Sequence, residues 1–335
     1  MPLIQKEWIN NKTINSIKNI ILPSLSINIR QIIEKIDPRY LSTLEEIRIR
    51  ENRPLMVTLS NRDYLVRPDG RLISKNSGAY MVTNQDSSSI LQLISDHSIY
   101  AIEEELRNGY ITLRGGHRVG FTGKGVLEGG NIKTLKYISG FNFRISREIK
   151  GVANRVLPYI TDEGEVLHTL IISPPQCGKT TLLRDLIRQI SDGNTSLGLK
   201  GHKVGVVDER SELAGCYKGV PQNDIGIRTD VLDGCPKARG MIMLIRSMSP
   251  HVIATDEVGS SEDIFAIEEA LNAGIKIITT VHGKDLEEIS RRPLLKDLIN
   301  NRIFKRIIIL SNRLSTGTIE KVLEGDNYKN IFFIP

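Results

Sequence analysis

Residues 173–181 read Ser173, Pro174, Pro175, Gln176, Cys177, Gly178, Lys179, Thr180 and Thr181, directly after the apolar run Leu170, Ile171 and Ile172. A strand, a tight turn, Gly-Lys-Thr and then a helix is a layout suited to gripping a phosphate chain. Main-chain N–H groups of the turn curl around one phosphate, and Gly178 keeps a side chain out of that curl. Lys179 reaches the next phosphate oxygens, and Thr180 offers a hydroxyl to Mg²⁺. The helix that follows turns its positive end toward the anion. ATP with Mg²⁺ is the ligand this layout fits. The usual loop begins with Gly five residues before the Gly-Lys pair. Here Ser173 stands in that place, and its Cβ is expected to strain the strand exit without removing a phosphate ligand. The plain alternative is a chance Gly-Lys-Thr on a surface helix. The apolar strand before it and a second acidic motif argue against chance.

That second motif is the run His251, Val252, Ile253, Ala254, Thr255, Asp256, Glu257. A strand beside the phosphate loop would let Asp256 hold the water shell of the metal. Glu257 would then polarise the attacking water as general base. Paired acids at a strand end are common in any α/β protein, so the motif draws its weight from the loop.

Other polar positions gather at expected strand ends. Asp208, Glu209 and Arg210 close one apolar run, and strand C-termini of an open parallel sheet face the ligand. Glu209 and Arg210 are candidates to contact nucleotide or water, with a salt-bridged loop as the equal alternative. His282 ends the run 275–280 and is a candidate to sense the terminal phosphate. Arg239 and Arg246 lie seven apart on one helix face, and Arg246 is a candidate for a phosphate or a neighbouring subunit. Arg228, in a Gly- and Asp-rich loop, is a weaker candidate.

The elements that must position these groups fall into two regions. Residues 1–150 mix short strands with a few helices: strands at 47–50, 55–59, 64–67, 110–114, 118–122, 133–138 and 141–145, and helices at 27–36, 86–97 and 99–108. Tight turns between neighbouring strands predict an antiparallel α+β domain. Residues 151–335 alternate apolar strands with longer helices, with strands at 166–172, 203–207, 252–255 and 275–280. That rhythm predicts an α/β domain, a mostly parallel sheet with helices on both faces. Runs at 306–310, 319–323 and 331–334 predict an antiparallel sheet edge.

Composition narrows the class. The 335 residues are 40% hydrophobic, enough for packed cores. Cys177, Cys216 and Cys235 show no CxxC spacing, so neither a zinc site nor a disulfide framework is expected, and a reducing cytosol fits. Net charge is +6, but acids are interspersed and aromatics make up 5%. A dedicated nucleic-acid surface needs clustered cations with interleaved aromatics, so none is expected. No apolar run reaches the ~20 residues of a membrane span, and no secretory signal is expected. Ile14, Ile17, Ile21 and Leu25 fall at helical spacing, either as a membrane-surface stripe or as part of the domain core.

Taken together, the phosphate loop, residues 208–210, Ile245 with Arg246 ahead of Ser249–Pro250–His251, the Asp256–Glu257 pair and Thr280–Val281–His282 resemble the secretion ATPases of type II and type IV systems. Within that group the match is to the stage III sporulation protein AA family. Residues 44–50, Arg53–Pro54–Leu55, the run Gly115, Gly116, His117, Arg118, Val119, Gly120, and 142–148 carry that closer likeness. The resemblance implies a RecA-like P-loop NTPase domain behind a smaller α+β domain. It also implies a homohexameric ATPase in the mother-cell cytoplasm. Membrane association would be peripheral, through integral membrane subunits of a channel between mother cell and forespore. Arg114, Arg118, Arg144 and Arg147 become candidates to close over nucleotide, or else braces of their own domain. Two rivals stand beside this reading: a nucleic-acid-stimulated ATPase, and a nucleotide-gated scaffold with little turnover.

Overall fold

The computed structural model describes residues 13–333. The chain divides into two compact units, Met1–Arg147 and Glu148–Pro335.

The first unit is built on a seven-stranded sheet of β1 (Leu44–Arg50), β2 (Met56–Leu59), β3 (Arg62–Val66), β4 (Leu72–Ile73), β5 (Tyr110–Thr112), β6 (Arg118–Glu128) and β7 (Asn131–Arg144). Its order is β4-β3-β2-β1-β7-β6-β5, and every pairing is antiparallel. Helices α1 (Ile27–Glu34), α2 (Pro38–Leu41), α3 (Asn84–Ile94) and α4 (Glu103–Asn108) accompany it. Local chemistry sets their ends. Ser26 caps α1 by accepting from Ile29 N–H. Thr83 and Asp86 form a reciprocal capping box on α3. Gly109, at φ 78, ends α4 where a residue with a Cβ would be strained. The strands expected at 133–138 and 141–145 are one strand, β7, with an irregularity where Tyr137 takes φ 50. Ile17, Ile21 and Leu25 are buried in this unit's core, so the stripe is core and not a membrane-facing surface.

The second unit opens with a small hairpin, β8 (Thr161–Asp162) and β9 (Glu165–Val166). Its main strands are β10 (Thr169–Ser173), β11 (Val204–Asp208), β12 (Thr229–Asp233), β13 (Val252–Thr255), β14 (Lys276–His282), β15 (Arg306–Ser311) and β16 (Thr318–Glu324). They lie in the order β12-β11-β13-β14-β10-β15-β16. All neighbours are parallel except β15 and β16. Helices α5 (Lys179–Asp192), α6 (Lys237–Met248), α7 (Ser261–Asn272), α8 (Leu286–Ser290) and α9 (Pro293–Asn300) cover both faces. Strand alternation explains this. Ile171, Val206 and Ala254 pack with Leu183, Leu186 and Ile190 of α5. Leu170, Ile172, Val207 and Ile253 pack with Met241, Leu244, Ala266 and Ile267 of α6 and α7.

Several strand limits differ from expectation. The run 166–172 splits, because Val166 pairs inside the hairpin and the Thr169 hydroxyl donates to Leu167 O, turning the chain before β10. β12 carried no clear sequence signal. It is an edge strand, half-buried along its length, so alternation between faces is weak. Residues 331–333 form no strand, and Ile334 lies outside the described residues. β15 runs parallel to β10, so only its pairing with β16 is antiparallel. Among the described residues, no helix is long and apolar enough to cross a membrane.

Candidate functional site

The phosphate loop follows β10 and opens α5, as its spacing predicts. Gln176 and Gly178 take positive φ, 58 and 83, which bends the chain back on itself before the helix. Gly178 is the N-cap of α5 and supplies no side-chain cap. The free amides of the first turn are therefore left for an anion. Ser173 does not strain the exit. It remains in strand conformation, paired with His282 in the β10–β14 register. Its hydroxyl donates to Pro174 O at 2.8 Å, and its carbonyl accepts from Gly283 N–H at 3.2 Å. Cys177 is buried beneath the loop, while Pro175 and Gln176 are exposed.

β13 does not lie beside β10 as expected; β14 stands between them. Two strand spacings put the acidic end ~10 Å from the loop strand. Lys179 spans that gap. Its Nζ lies 3.3 Å from Glu257 Oε1 and 2.9 Å from His282 Nδ1. His282 Nε2 lies 3.0 Å from the same Glu257 oxygen. Arg210 Nη1 stands 3.5 Å from the other oxygen, Oε2. Loop, acidic end and the end of β14 thus meet at one edge of the sheet. Glu257 sits at φ 43, a conformation that costs on the order of 1–3 kcal/mol for a residue with a side chain. Two contacts with β14 hold it there: Glu257 N–H donates to Thr280 Oγ1 at 3.0 Å, and Val258 N–H to Thr280 O at 3.0 Å.

The charges are tuned by this crowding. Burial lowers the pKa of Lys179, and the nearby Glu257 and Asp256 carboxylates partly offset that effect. Burial alone would raise Glu257, but Lys179, His282 and Arg210 outweigh it and hold the carboxyl below its usual range. Asp256 is pushed up to about 6, first by burial and then by Asp208. Asp208 is itself raised by burial, although amides of the following turn, Glu212 and Ala214 among them, donate to it.

The remaining candidates separate clearly. Arg210 joins the cluster, whereas Glu209 is turned to an ion pair with Lys237. Arg246 does not reach the phosphate edge of its own chain. α6 starts at that edge, where Lys237 meets Glu209, and runs back toward β13. Nine residues of helix carry Arg246 about 14 Å away, where it is exposed. Arg239 is exposed on the same helix. Arg228 donates to Ser191 O and braces the end of α5. In the first unit Arg147 donates to the carbonyls of Ser42 and Leu44, Arg118 stacks on Tyr110, and Arg144 lies 3.8 Å from Glu46. These three brace their own unit. Sequence reasoning missed the positioning roles of Thr280 and Lys237. The Thr280 hydroxyl on a strand end was a readable cue; Lys237 had none.

Oxygen donors at this edge suit Mg²⁺. Thr180, half-buried in the first turn of α5, and the buried Asp256 carboxylate supply a hydroxyl and an acid. Among the described residues no three His, Cys, Asp or Glu side chains gather into a metal cage. Mg²⁺ takes one or two protein oxygens and fills its shell with phosphate and water, and Thr180 and Asp256 offer two such oxygens.

The fold has solved counterparts. The ATPase DotB of Legionella pneumophila superposes with a TM-score of 0.51 at 18% identity, over 84% of this chain and 74% of that one. The pilus retraction motor PilT, solved with bound ADP, gives 0.52 at 15% identity, over 85% and 78%. In architecture the chain shares the fold of these two secretion-type ATPases. Its sequence goes further: the family model described as Sporulation stage III, protein AA, matches residues 15–328. Stage III sporulation protein AA of Bacillus subtilis (strain 168) is 45% identical over 284 residues, 84% of this chain and 87% of that protein. The chain belongs to this sporulation family.

Proposed function

We propose that the chain is a Mg²⁺-dependent ATPase whose second unit binds ATP at residues 173–181 and cleaves its terminal phosphate, acting as a homohexameric ring. One observation carries this reading: Lys179 of the phosphate loop and Glu257 of the acidic strand end lie 3.3 Å apart, with His282 against both.

The chemistry follows from that contact. A terminal phosphate competes with Glu257 for the Lys179 ammonium. When Lys179 turns to phosphate oxygens, Glu257 loses the cation that depresses its pKa. Burial is then opposed only by His282 and Arg210, so the basicity of Glu257 rises, in the direction a general base requires. Binding thus arms the base. Glu257 takes the proton of the attacking water, and His282 Nε2 orients its carboxylate. Thr180 and Asp256 would hold Mg²⁺, which supplies charge neutralisation to the phosphates.

Membership of a sporulation family and the fold of DotB and PilT support a motor or assembly role. We assign the action to a channel between mother cell and forespore, at the cytoplasmic face of integral membrane subunits. The test is phosphate release by the purified chain with Mg-ATP, measured beside its mass in solution. Release that vanishes in Lys179→Ala and Glu257→Gln supports the assignment. Equal turnover in wild type and Glu257→Gln overturns it.

A further inference from the structure

Helices α6 and α7 lie side by side on one face of the second sheet, their buried sides packed on Val207, Ile253 and Ile277. Each connects strands of one parallel sheet. Both therefore start at the edge where Lys237 meets Glu209 and Ser260 caps α7, and both run back in the same direction.

Their outward sides differ in charge. On α6, Arg239, Met243 and Arg246 form one exposed stripe, opposite the buried Gly240, Met241 and Leu244. On α7, Glu262, Phe265 and Glu268 are exposed, while Ala266, Ile267 and Ala270 are buried. Met243 is 58% and Phe265 59% exposed, so apolar surface stands uncovered between the charges. Among the described residues, none of these two arginines and two glutamates forms an ion pair.

The levels along the two helices match. At ~1.5 Å per residue from each helix start, Arg239 stands within about 3 Å of the level of Glu262, Met243 of Phe265, and Arg246 of Glu268. A two-fold axis lying in this surface, parallel to the helices and between them, sets α6 of one copy over α7 of another at an unchanged level. Both arginines then meet glutamates, Met243 meets the Phe265 ring, and the same contacts recur on the other half. Any docking that sets α6 on α6 brings arginine against arginine.

We propose that the α6–α7 face binds a second copy of the chain through this reciprocal two-fold contact. It uses no residue of the phosphate edge, so it is independent of the ATP chemistry and joins single chains or whole rings alike. Two helices of 12 residues each cover about 18 Å by 20 Å, the size of a weak, reversible interface. The test is sedimentation of the full chain over a concentration series without nucleotide. Wild type is expected to reach twice the assembly mass of two double variants, Arg239→Glu with Arg246→Glu, and Glu262→Arg with Glu268→Arg. Each variant repels its own kind. An equal mixture of the two restores opposite charges and is expected to recover the wild-type mass, which also shows that both fold. Phe265→Ser, a single change at an exposed position, is expected to halve the mass as well. Equal mass for wild type and all variants overturns the contact. So does a mixture that stays at the lower mass while both variants keep the circular dichroism of wild type, and so does a Phe265→Ser chain of wild-type mass. Absence of phosphate release by wild type overturns the proposed function and leaves this contact standing.

Discussion

His282 Nδ1 lies 2.9 Å from the ammonium of Lys179, and Nε2 of the same ring lies 3.0 Å from Glu257 Oε1. One imidazole thereby spans the ammonium of the phosphate loop and the Glu257 carboxylate. It does so because Ser173 and His282 are partners in the β10–β14 register.

That bridge makes a directional prediction. Asn at position 282 can offer an oxygen where Nδ1 stood but cannot reach Glu257 as Nε2 does. His282→Asn is therefore expected to keep nucleotide affinity and lose ~10–100-fold in turnover, the scale of one hydrogen bond to a charged group. Titration of nucleotide beside steady-state phosphate release separates the two. Loss of affinity with unchanged turnover would contradict the bridge.

Glu257→Gln removes the carboxylate that holds Lys179. Turnover is expected to fall ~10²–10⁴-fold, the usual contribution of a general base. Affinity for ATP is expected to hold or tighten, because phosphate no longer competes with a carboxylate for the ammonium. Lys179→Ala should lose binding and turnover alike. A Glu257→Gln chain that binds ATP more weakly than wild type would refute the competition.

Asp256 makes stability depend on pH. In the folded chain it keeps its proton up to about pH 6, while an unfolded aspartate releases it near ~3.9. The folded state binds more protons between those values. The stabilising effect of this group is therefore full below the unfolded pKa and declines as pH rises through 6. Without Mg²⁺, Asp256→Asn should raise Tm at pH 8 and change it little at pH 4. The check is a set of melting curves from pH 4 to 8. A variant less stable than wild type at pH 8 would remove the burial argument.

Local geometry was the legible part of this chain. The phosphate loop could be read because a bend between strand and helix demands residues such as Gly178, and the required types are contiguous. The acidic end was legible for the same reason. What escaped was non-local. A seven-residue spacing puts Arg239 and Arg246 on one helix face but says nothing of which sheet edge each helix end reaches. α6 runs away from the edge where Lys179 and Glu257 meet, so Arg246 leaves with it. Strand order was equally hidden: nothing in the run before Asp256 announces that β14 lies between β13 and β10. The half-buried edge strand β12 lacked the alternation by which a strand is recognised. Lys237 became part of the site only because the fold brings it to Glu209.

Ser173 offers a final test, since a scaffold with little turnover was suggested by its replacement of the usual Gly. The structure shows no strain at the strand exit. Ser173 needs no positive φ, being the last residue of β10, and its hydroxyl is satisfied by Pro174 O at 2.8 Å. A Gly at this place would add backbone freedom to the unfolded chain and gain no room that the loop lacks. Ser173→Gly is thus expected to leave turnover within about twofold and to cost roughly 0.5–1 kcal/mol of stability, the typical effect of Gly inside a regular element. Phosphate release and thermal unfolding of the variant check both halves. A large rise in turnover would mean that the Ser173 side chain restrains catalysis after all, and that the loop is held in a slow geometry by the bond to Pro174.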